Sequence, residues 1–357
     1  MAIVTFIAIL LVLVLVHEFG HFLLAKLSRV RVEEFAFGFP PRLFSVKRGE
    51  TRYSFNLLPL GGYVKIQGEE GEDAYDPRSF SSQSLLKKVA IIAAGVFFNF
   101  VLAYFLFSAG FMIGTPVPLD DNSENPNAEV IITEIRDGSP ADAAGIIPGD
   151  KIISFSSGDE NILVSKTSEV RNFIDSHKGK EILVKVERSG GELTLNANLP
   201  EVSKDGEGVL GIAMIRAGIE KSGLFKALKD GYFATTNLSY LTGNAILGFF
   251  GEIFTGRGSF DKVSGPVGIA SIVGDSISSG FSSLLWLTGI LSISLGIMNI
   301  IPFPGLDGGR IFFLLLEKIK GSPFDWKVMR LVHAAGFVLL ILLMIFVTYH
   351  DILKLTS

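Results

Sequence analysis

The chain has 357 residues, of which 48% are hydrophobic and only 19% are charged, and its formal net charge is −4. This composition is too apolar for an ordinary soluble protein and too charged for a chain that lies wholly in a membrane, so we expect both kinds of segment. The absence of cysteine excludes disulfides and thiolate metal sites, so any bound metal needs histidine and carboxylate ligands.

The first predicted element is an apolar helix over residues 3–25, which is long enough to cross a bilayer. It lacks the basic start and cleavage pattern of a signal peptide, so we expect it to be retained. Within it stands His17-Glu18-Phe19-Gly20-His21. Ionisable side chains at this depth cost several kcal/mol, about 2.5–3.5 for Asp on insertion scales, and indicate function.

The spacing of this HEFGH motif predicts a metal site. Residues four apart share a helix face, so His17 and His21 can bind one ion while Glu18 stands beside it as a general base. HExxH on a helix is typical of zinc proteases. In a soluble sequence a bare HExxH match also arises by chance, and a lone His on an apolar face is more often a packed core residue. The membrane setting favours zinc, with a third ligand to come from elsewhere.

Residues 32–66 read as β-structure after this helix. Two alternating runs flank Lys47-Arg48-Gly49-Glu50, which predicts a hairpin, and Gly61-Gly62-Tyr63 opens a further run. One interpretation is a small amphipathic sheet at the membrane surface. The other is an edge strand that pairs with an unwound substrate, because hydrolysis of a transmembrane segment requires extended backbone.

Three more segments are apolar enough to span a membrane, namely 89–113, 281–301 and 331–349. The first of these carries Asn99. An Asn in such a helix is usually an interhelical hydrogen-bonding residue, and a direct role in an active site is the alternative.

Residues 128–215 have the pattern of a compact α+β module of short strands and helices. Its run GSPADAAGIIPGDKIISF, residues 138–155, resembles a PDZ domain of the bacterial protease type. Such domains add an extended C-terminus as a strand, and the loop around Gly211 resembles the one that holds the terminal carboxylate. His177 is interpreted as a surface residue of this module. The segment 216–280 that follows is amphipathic, and we expect it to lie at the membrane interface outside the bilayer.

The third span runs into Asn299-Ile300-Ile301-Pro302-Phe303-Pro304-Gly305-Leu306-Asp307-Gly308-Gly309. Backbone bent by proline and glycine is tolerated at membrane depth only where it lines a protein or water cavity. Asp307 can therefore supply a carboxylate to the ion bound by His17 and His21, and a water would complete a tetrahedral site. Taken without the HEFGH motif, Asp307 would read as a helix N-cap.

Charge places these elements relative to the membrane. Residues 26–88 carry 11 basic and 8 acidic side chains and residues 304–330 carry 5 and 3, whereas residues 114–280 carry 15 and 23. By the positive-inside rule the first and third connections are cytoplasmic, and the long acidic one lies outside. We therefore expect the active site to face the cytoplasm, and the PDZ module to be extracytoplasmic.

Together these motifs resemble the site-2 protease family of intramembrane zinc metalloproteases, most closely the bacterial RseP type. The resemblance implies that His17, His21 and Asp307 bind Zn²⁺ and that Glu18 is the base. It implies further that Asn299 helps to hold the substrate, and we also assign substrate-binding roles to Asn99, to the Gly61-Gly62-Tyr63 run and to Gly211. It implies a polytopic α-helical protein of four spans in the inner membrane, with a membrane-associated hairpin and an inserted PDZ domain. This chain has one such domain, where the best-known member type has two.

The implied function is regulated intramembrane proteolysis of single-pass membrane proteins, such as pre-trimmed anti-sigma factors and remnant signal peptides. The expected partners are these substrates, the lipid bilayer and peptide C-termini at the PDZ domain, and we expect no nucleic-acid partner. One alternative is a scaffold with a degenerate metal site that recruits C-termini through its PDZ domain. A metal-dependent transporter is a further alternative, but it needs neither a PDZ module nor a base beside the ligands.

Overall fold

The computed structural model describes residues 1–69, 75–123, 125, 128–188, 190–201, 208–255 and 264–356. The chain divides into two compact units. The larger consists of Met1–Gly110 with Leu224–Ser357, and the smaller, Phe111–Gly223, is inserted into it.

The larger unit opens with two long apolar helices separated by a pair of long strands. These elements are α1 (Ala2–Leu27), β1 (Val32–Arg48), β2 (Thr51–Ile66) and α2 (Leu85–Ile113). Helix α1 ends where the apolar run gives way to Lys26 and the turn at Ser28 and Arg29, whose φ is +60°. The helices thus extend a few residues beyond the spans predicted from hydropathy, because polar residues at the ends do not stop a helix.

The two strands form a hairpin with more pairing than the sequence indicates. It turns where Arg48 pairs with Thr51, as the Lys47-Arg48-Gly49-Glu50 run predicts. The start of β1 also pairs with both ends of β2, so that Phe35 lies opposite Tyr53 and opposite Val64. Residues 62–66 therefore form an outer segment of this two-stranded sheet, with the start of β1 on one side.

The smaller unit is one antiparallel layer of strands covered by short helices. In chain order it contains β3 (Thr115–Pro118), β4 (Glu129–Ile135), α3 (Pro140–Ala143), β5 (Lys151–Ser157), β6 (Glu160–Leu163), α4 (Thr167–Ser176), β7 (Glu181–Arg188), β8 (Gly191–Asn198) and β9 (Ile212–Glu220). The strand order is β3-β9-β4-β5-β7-β8, with β6 beside β5. Phe155, Val170 and Ile182 are fully buried in its core. Of the predicted module, residues 189 and 202–207 lie outside the described part.

One prediction for this unit is wrong. His177 is not a surface residue, because only 4% of it is exposed. Its ring stacks on Phe173 with centroids 4.1 Å apart, and its Nδ1 lies 2.9 Å from the Phe173 carbonyl oxygen. The polar residues around it in sequence hide this burial.

The chain then returns to the larger unit with five helices. These are α5 (Leu224–Phe254), α6 (Pro266–Ser278), α7 (Phe281–Ile300), α8 (Asp307–Lys320) and α9 (Trp326–Thr356). Four described helices are long and apolar enough to cross a membrane, namely α1, α2, α7 and α9, as predicted; α5 is not among them. Residues 256–263 of the segment interpreted as interfacial lie outside the described part.

Helix α6 is held by a buried carboxylate. Asp351 of α9 is 4% exposed, and its two oxygens accept hydrogen bonds from the backbone N–H groups of Gly265 and Gly268 at 3.2 and 2.8 Å. A side chain at Gly265 would place its Cβ 2.8 Å from Asp351 Oδ2. The Ser264-Gly265-Pro266 break therefore fits a helix start that is capped from another helix.

Candidate active site and metal centre

The two motifs that were separate in sequence meet in space. The Nε2 atoms of His17 and His21 lie 3.1 and 3.3 Å from Asp307 Oδ2, and 3.2 Å from each other. Bonds of about 2.0–2.1 Å to a tetrahedral zinc ion place neighbouring ligand atoms roughly 3.3 Å apart. Asp307 Oδ2 is buried and has no hydrogen-bond partner among the described residues. The three atoms thus fit one face of a zinc coordination tetrahedron.

The local fold brings these ligands together through close backbone approaches. On α1, His17 and His21 are one turn apart and share a face. Between them, a Cβ on Gly20 would lie 2.4 Å from the Ala94 carbonyl oxygen, so α1 and α2 pack backbone to backbone here. On α2, a Cβ on Gly95 would lie 2.4 Å from His21 Nε2 and 2.7 Å from His17 Cε1. The two imidazoles occupy the space that a side chain at position 95 would fill.

Asp307 is positioned by a tight turn of the chain between the end of α7 and the start of α8. It is the first residue of α8, and the cap position is taken by Leu306, whose side chain makes no cap hydrogen bond. A Cβ on Gly308 would lie 2.1 Å from the Ile300 carbonyl oxygen, and one on Gly309 would lie 2.2 Å from that of Phe303. The two glycines therefore let the start of α8 pack directly against the end of α7. The N-cap alternative for Asp307 is not what the structure shows.

The Nδ1 atom of each imidazole, on the side away from Asp307, lies next to a hydrogen-bonding group of α2. His21 Nδ1 lies 2.9 Å from the Ile91 carbonyl oxygen, which accepts its proton and leaves Nε2 free for a metal. His17 Nδ1 lies 3.2 Å from the side-chain amide of fully buried Asn99. A histidine that binds metal through Nε2 carries its proton on Nδ1, so this amide must present its oxygen to His17.

A cavity of about 300 Å³ lies in front of the metal-ligand residues. Glu18 and Asn299 both line it, as does Arg310, one turn after Asp307. Asn99 does not line it and lies behind His17 instead. Asn299 is thus near the candidate metal centre, and its assignment to substrate binding stays a prediction, whereas Asn99 contacts the His17 ring from the other side.

The outer segment of β2 forms one wall of this cavity. Tyr63 and Val64 line it, and a Cβ on Gly62 would lie 3.6 Å from Glu18 Cγ and 2.9 Å from the Ala36 carbonyl oxygen. Gly61, the neighbouring predicted residue, is packed beneath the ring of Phe39, which a Cβ there would approach to 2.8 Å. The run Gly61-Gly62-Tyr63 therefore brings a backbone edge to the proposed base.

An ion pair that the sequence does not indicate closes another wall. Arg310 of α8 pairs with Glu69, three residues beyond the end of β2. Both side chains line the cavity. The pairing joins segments 241 positions apart in sequence, which no local pattern reveals.

Gly211 belongs to the smaller unit and is described within it. Its φ is +79°, a conformation that favours glycine, and a Cβ there would lie 2.3 Å from that of Ser139. Its N–H donates to the Gly208 carbonyl oxygen at 3.1 Å. Binding of a terminal carboxylate at this amide requires that hydrogen bond to open.

Comparisons with known proteins agree with this geometry. The sequence model of peptidase family M50 matches residues 5–343. A Clostridium perfringens protein that carries the name of a zinc metalloprotease is 35% identical over 347 residues, covering 96% of this chain and 95% of the relative. The zinc metalloprotease RasP of Shouchella clausii is 31% identical over 434 residues, covering 99% of each chain. A Fusobacterium nucleatum protein with a zinc metalloprotease name is 33% identical and covers 96% of each.

Proposed function

The chain belongs to peptidase family M50 and is a zinc metalloprotease, and from this premise we propose that it cleaves peptide bonds within or beside membrane-spanning segments of single-pass proteins. One observation carries the proposal. The ligand atoms of His17, His21 and Asp307 converge beside Glu18, and the two histidines stand in a helix that is long and apolar enough to cross a membrane. A protease built on such a helix meets its substrates at membrane depth.

We assign zinc binding to His17, His21 and Asp307. Two imidazoles and one carboxylate, with a position left open, form the donor set of catalytic zinc sites. When bound, the ion supplies Lewis acidity, which lowers the pKa of water and polarises a carbonyl. The Ile91 carbonyl and the Asn99 amide hold the two imidazoles in the tautomer that this binding needs.

Glu18 is the proposed general base. It follows the first ligand on α1 and lines the same cavity. Its carboxylate accepts a proton from the attacking water as the oxygen bonds to the substrate carbonyl carbon. The same group then gives a proton to the nitrogen as the C–N bond breaks, leaving a new carboxyl end and a new amine. The proton that Glu18 takes from the water therefore ends on the new amine.

The outer edge of β2 is the proposed substrate-binding element. A peptide helix has its amides bonded internally, so a substrate must unwind before its carbonyl can be attacked. Gly62, Tyr63 and Val64 pair with the start of β1 along one edge, and the unwound segment can add along the other edge as a further strand. Tyr63 and Asn299 then face the substrate from two walls of the cavity.

The smaller unit is proposed to be the single PDZ domain. Residues 212–215 of β9 pair with β4 on one side, while β3 pairs only with residues 217–220 on the other. Helix α4 packs near this strand. An extended C-terminus can add along the remaining edge, next to the loop at Gly211, so that the domain binds trimmed ends or excludes bulky substrates.

The distribution of charge supports an inner-membrane location in a bacterium, with the PDZ unit outside. Residues 26–88 and 304–330 carry net charges of +3 and +2, from 11 minus 8 and 5 minus 3, while residues 114–280 carry −8, from 15 minus 23. Basic loops stay in the cytoplasm. The metal-ligand residues then lie toward the cytoplasmic end of α1, and substrates trimmed on the outer side, such as anti-sigma factors or remnant signal peptides, fit this arrangement.

A test combines zinc content with cleavage of a panel of tagged single-span helices. The purified chain should carry about one zinc and cleave helices without a bulky outer domain. Asp307→Asn should lose both properties, while Asp325→Asn, which removes a carboxylate at the start of α9, should keep both. A zinc-free and inactive wild type would instead favour the scaffold alternative.

A further inference from the structure

A second cavity lies beside the catalytic one in the larger unit and has a volume of about 410 Å³. Its walls come from four residues of the loop before α2, from the starts of α2 and α9, and from α8; the four loop residues are Gly68, Glu69, Phe80 and Ser81. Glu69, Ile92 and Arg310 line both cavities. None of the proposed steps of peptide hydrolysis uses this second space.

The lining of the second cavity is cationic and aromatic. Lys88 and Arg330 contribute to it, and neither forms an ion pair with a described carboxylate. Each lies near an aromatic ring instead, Lys88 Nζ at 5.8 Å from the Phe80 centroid and Arg330 Cζ at 4.8 Å from that of Trp326. Cations held over rings remain available to an anion.

The acidic groups of the cavity are already engaged. Glu69 pairs with Arg310. Glu317 accepts the backbone N–H of Phe324 at 2.9 Å, and so helps to fix the turn between α8 and α9. Among the described lining residues, setting aside the Glu69–Arg310 pair leaves two cations, Lys88 and Arg330, and one carboxylate, Glu317. This balance favours an anionic ligand.

The position of the two cations indicates which anion. Lys88 lies in the first turn of α2 and Arg330 near the start of α9, and both helices are candidate membrane spans. Trp326 begins α9, and tryptophan is enriched at the level of lipid headgroups. Basic pockets between spanning helices on the cytoplasmic side bind anionic headgroups. Phe313, Leu314 and Phe324 add an apolar surface beside the cations.

We propose that this cavity binds the headgroup of an anionic phospholipid, with Lys88 and Arg330 contacting its phosphate. The ammonium and guanidinium groups donate charge-assisted hydrogen bonds to phosphate oxygens. The apolar wall receives the glycerol and the first carbons of the acyl chains, which a free phosphate ion lacks. Because Glu69 and Arg310 line both cavities, the bound lipid lies against a wall of the catalytic cavity.

The chain offers matched controls for a test. Lys87 and Lys327 stand in the same helix turns as Lys88 and Arg330, but neither lines the cavity. The double variant Lys88→Ala/Arg330→Ala removes the proposed contacts. The double variant Lys87→Ala/Lys327→Ala removes the same charge from the same turns. Lys88→Arg/Arg330→Lys keeps the cations and shows that the positions tolerate substitution.

The full-length protein in detergent is titrated with phosphatidylglycerol, phosphatidylcholine or inorganic phosphate. The melting temperature is measured at each concentration, and bound lipid is measured separately by native mass spectrometry. Phosphatidylglycerol should raise the melting temperature of wild type, the control and the charge-keeping variant. The Lys88→Ala/Arg330→Ala protein should bind it at least 10-fold more weakly. Equal binding by that variant, equal stabilisation by phosphatidylcholine, or the same response to inorganic phosphate would each overturn the proposal. Zinc content and cleavage in lipid-free detergent report separately on the proposed protease activity.

Discussion

Replacing Gly95 with alanine should cost the protein its metal centre. The added methyl group would lie 2.4 Å from His21 Nε2, 2.6 Å from His21 Cε1 and 2.7 Å from His17 Cε1. Ordinary van der Waals contact begins at 3.4 Å, so the His21 ring has to retreat by about 1 Å, which is 3.4 minus 2.4. Both imidazoles are held at their far nitrogens by α2 itself, which limits where they can go.

The size of the expected loss follows from how little the distance between zinc and a ligand atom can change. Zinc bonds deviate by only about ±0.2 Å in well-formed sites, so a 1 Å displacement removes at least one ligand. Loss of partners that merely orient a ligand costs about 10–100-fold in affinity, and a 1 Å misplacement of a reacting group costs about 100-fold in rate. We therefore expect Gly95→Ala to bind zinc at least about 100-fold more weakly and to cleave at least about 100-fold more slowly.

The assay measures zinc per chain after dialysis against a graded series of chelator concentrations, together with cleavage of a tagged helix. Gly248→Ala is the matched control, because Gly248 also lies within a helix and a Cβ there meets no atom within 4 Å. The control should keep its zinc and its activity, with a helix stabilised by roughly 1 kcal/mol. A Gly95→Ala protein with wild-type zinc affinity and cleavage would refute the packing argument.

Three further predictions concern the hydrogen bonds of single side chains. Asn99→Ala should weaken zinc binding about 10–100-fold, because His17 loses its orienting partner, whereas Ser292→Ala, which removes only a hydrogen bond to the Asn99 backbone, should not. Asp351→Asn should lower the free energy of unfolding by about 1–3 kcal/mol, seen as a lower melting temperature, because two glycine amides lose a charged acceptor. Partial burial acts to raise the pKa of Asp121, but hydrogen bonds from the start of α4 outweigh it and hold the pKa at about 2, below the ordinary 3.8. The stabilisation of the smaller unit by this carboxylate is therefore complete above about pH 4 and lost as the pH falls through 2, which hydrogen exchange of residues 166–176 in wild type and Asp121→Ala can measure.

Each of these has a contrary outcome. Equal zinc affinity in Asn99→Ala and Ser292→Ala would mean that the amide does not orient His17. An unchanged melting temperature in Asp351→Asn would mean that α6 is held by its apolar packing against α1. A difference between wild type and Asp121→Ala that persists unchanged from pH 7 to pH 2 would mean that the stabilisation does not depend on the charge of this carboxylate.

The convergence of His17, His21 and Asp307 could be predicted because ionisable side chains are rare in apolar segments. Two imidazoles and a carboxylate inside an apolar helix have no cheap structural explanation, and Asp307 stands in a proline- and glycine-rich segment that an ordinary span does not contain. The four spans were predictable for a similar reason, since length and hydropathy suffice. Their ends were not, because helices continue through polar residues.

Other parts of the site leave no mark on the sequence. Gly95 matters because it has no side chain, which leaves room for the rings of His17 and His21. A single glycine in an apolar helix does not indicate this in the sequence. Glu69 and Arg310 form an ion pair in the structure, but nothing in the sequence around either residue indicates the other as its partner. The second pairing of β1 depends on a bend in the chain, which alternation alone does not predict. His177 is buried by strands and a helix that its neighbours in sequence do not reveal.

The central claim is that a zinc site with Glu18 as its base performs the hydrolysis. Glu18→Gln tests it most directly, because the amide keeps the shape of the side chain but cannot accept the proton. The variant should retain about one zinc per chain, bound by His17, His21 and Asp307, and should cleave no helix of the panel. Zinc-replete Glu18→Gln protein that still cleaves a membrane helix at the wild-type rate would contradict the account.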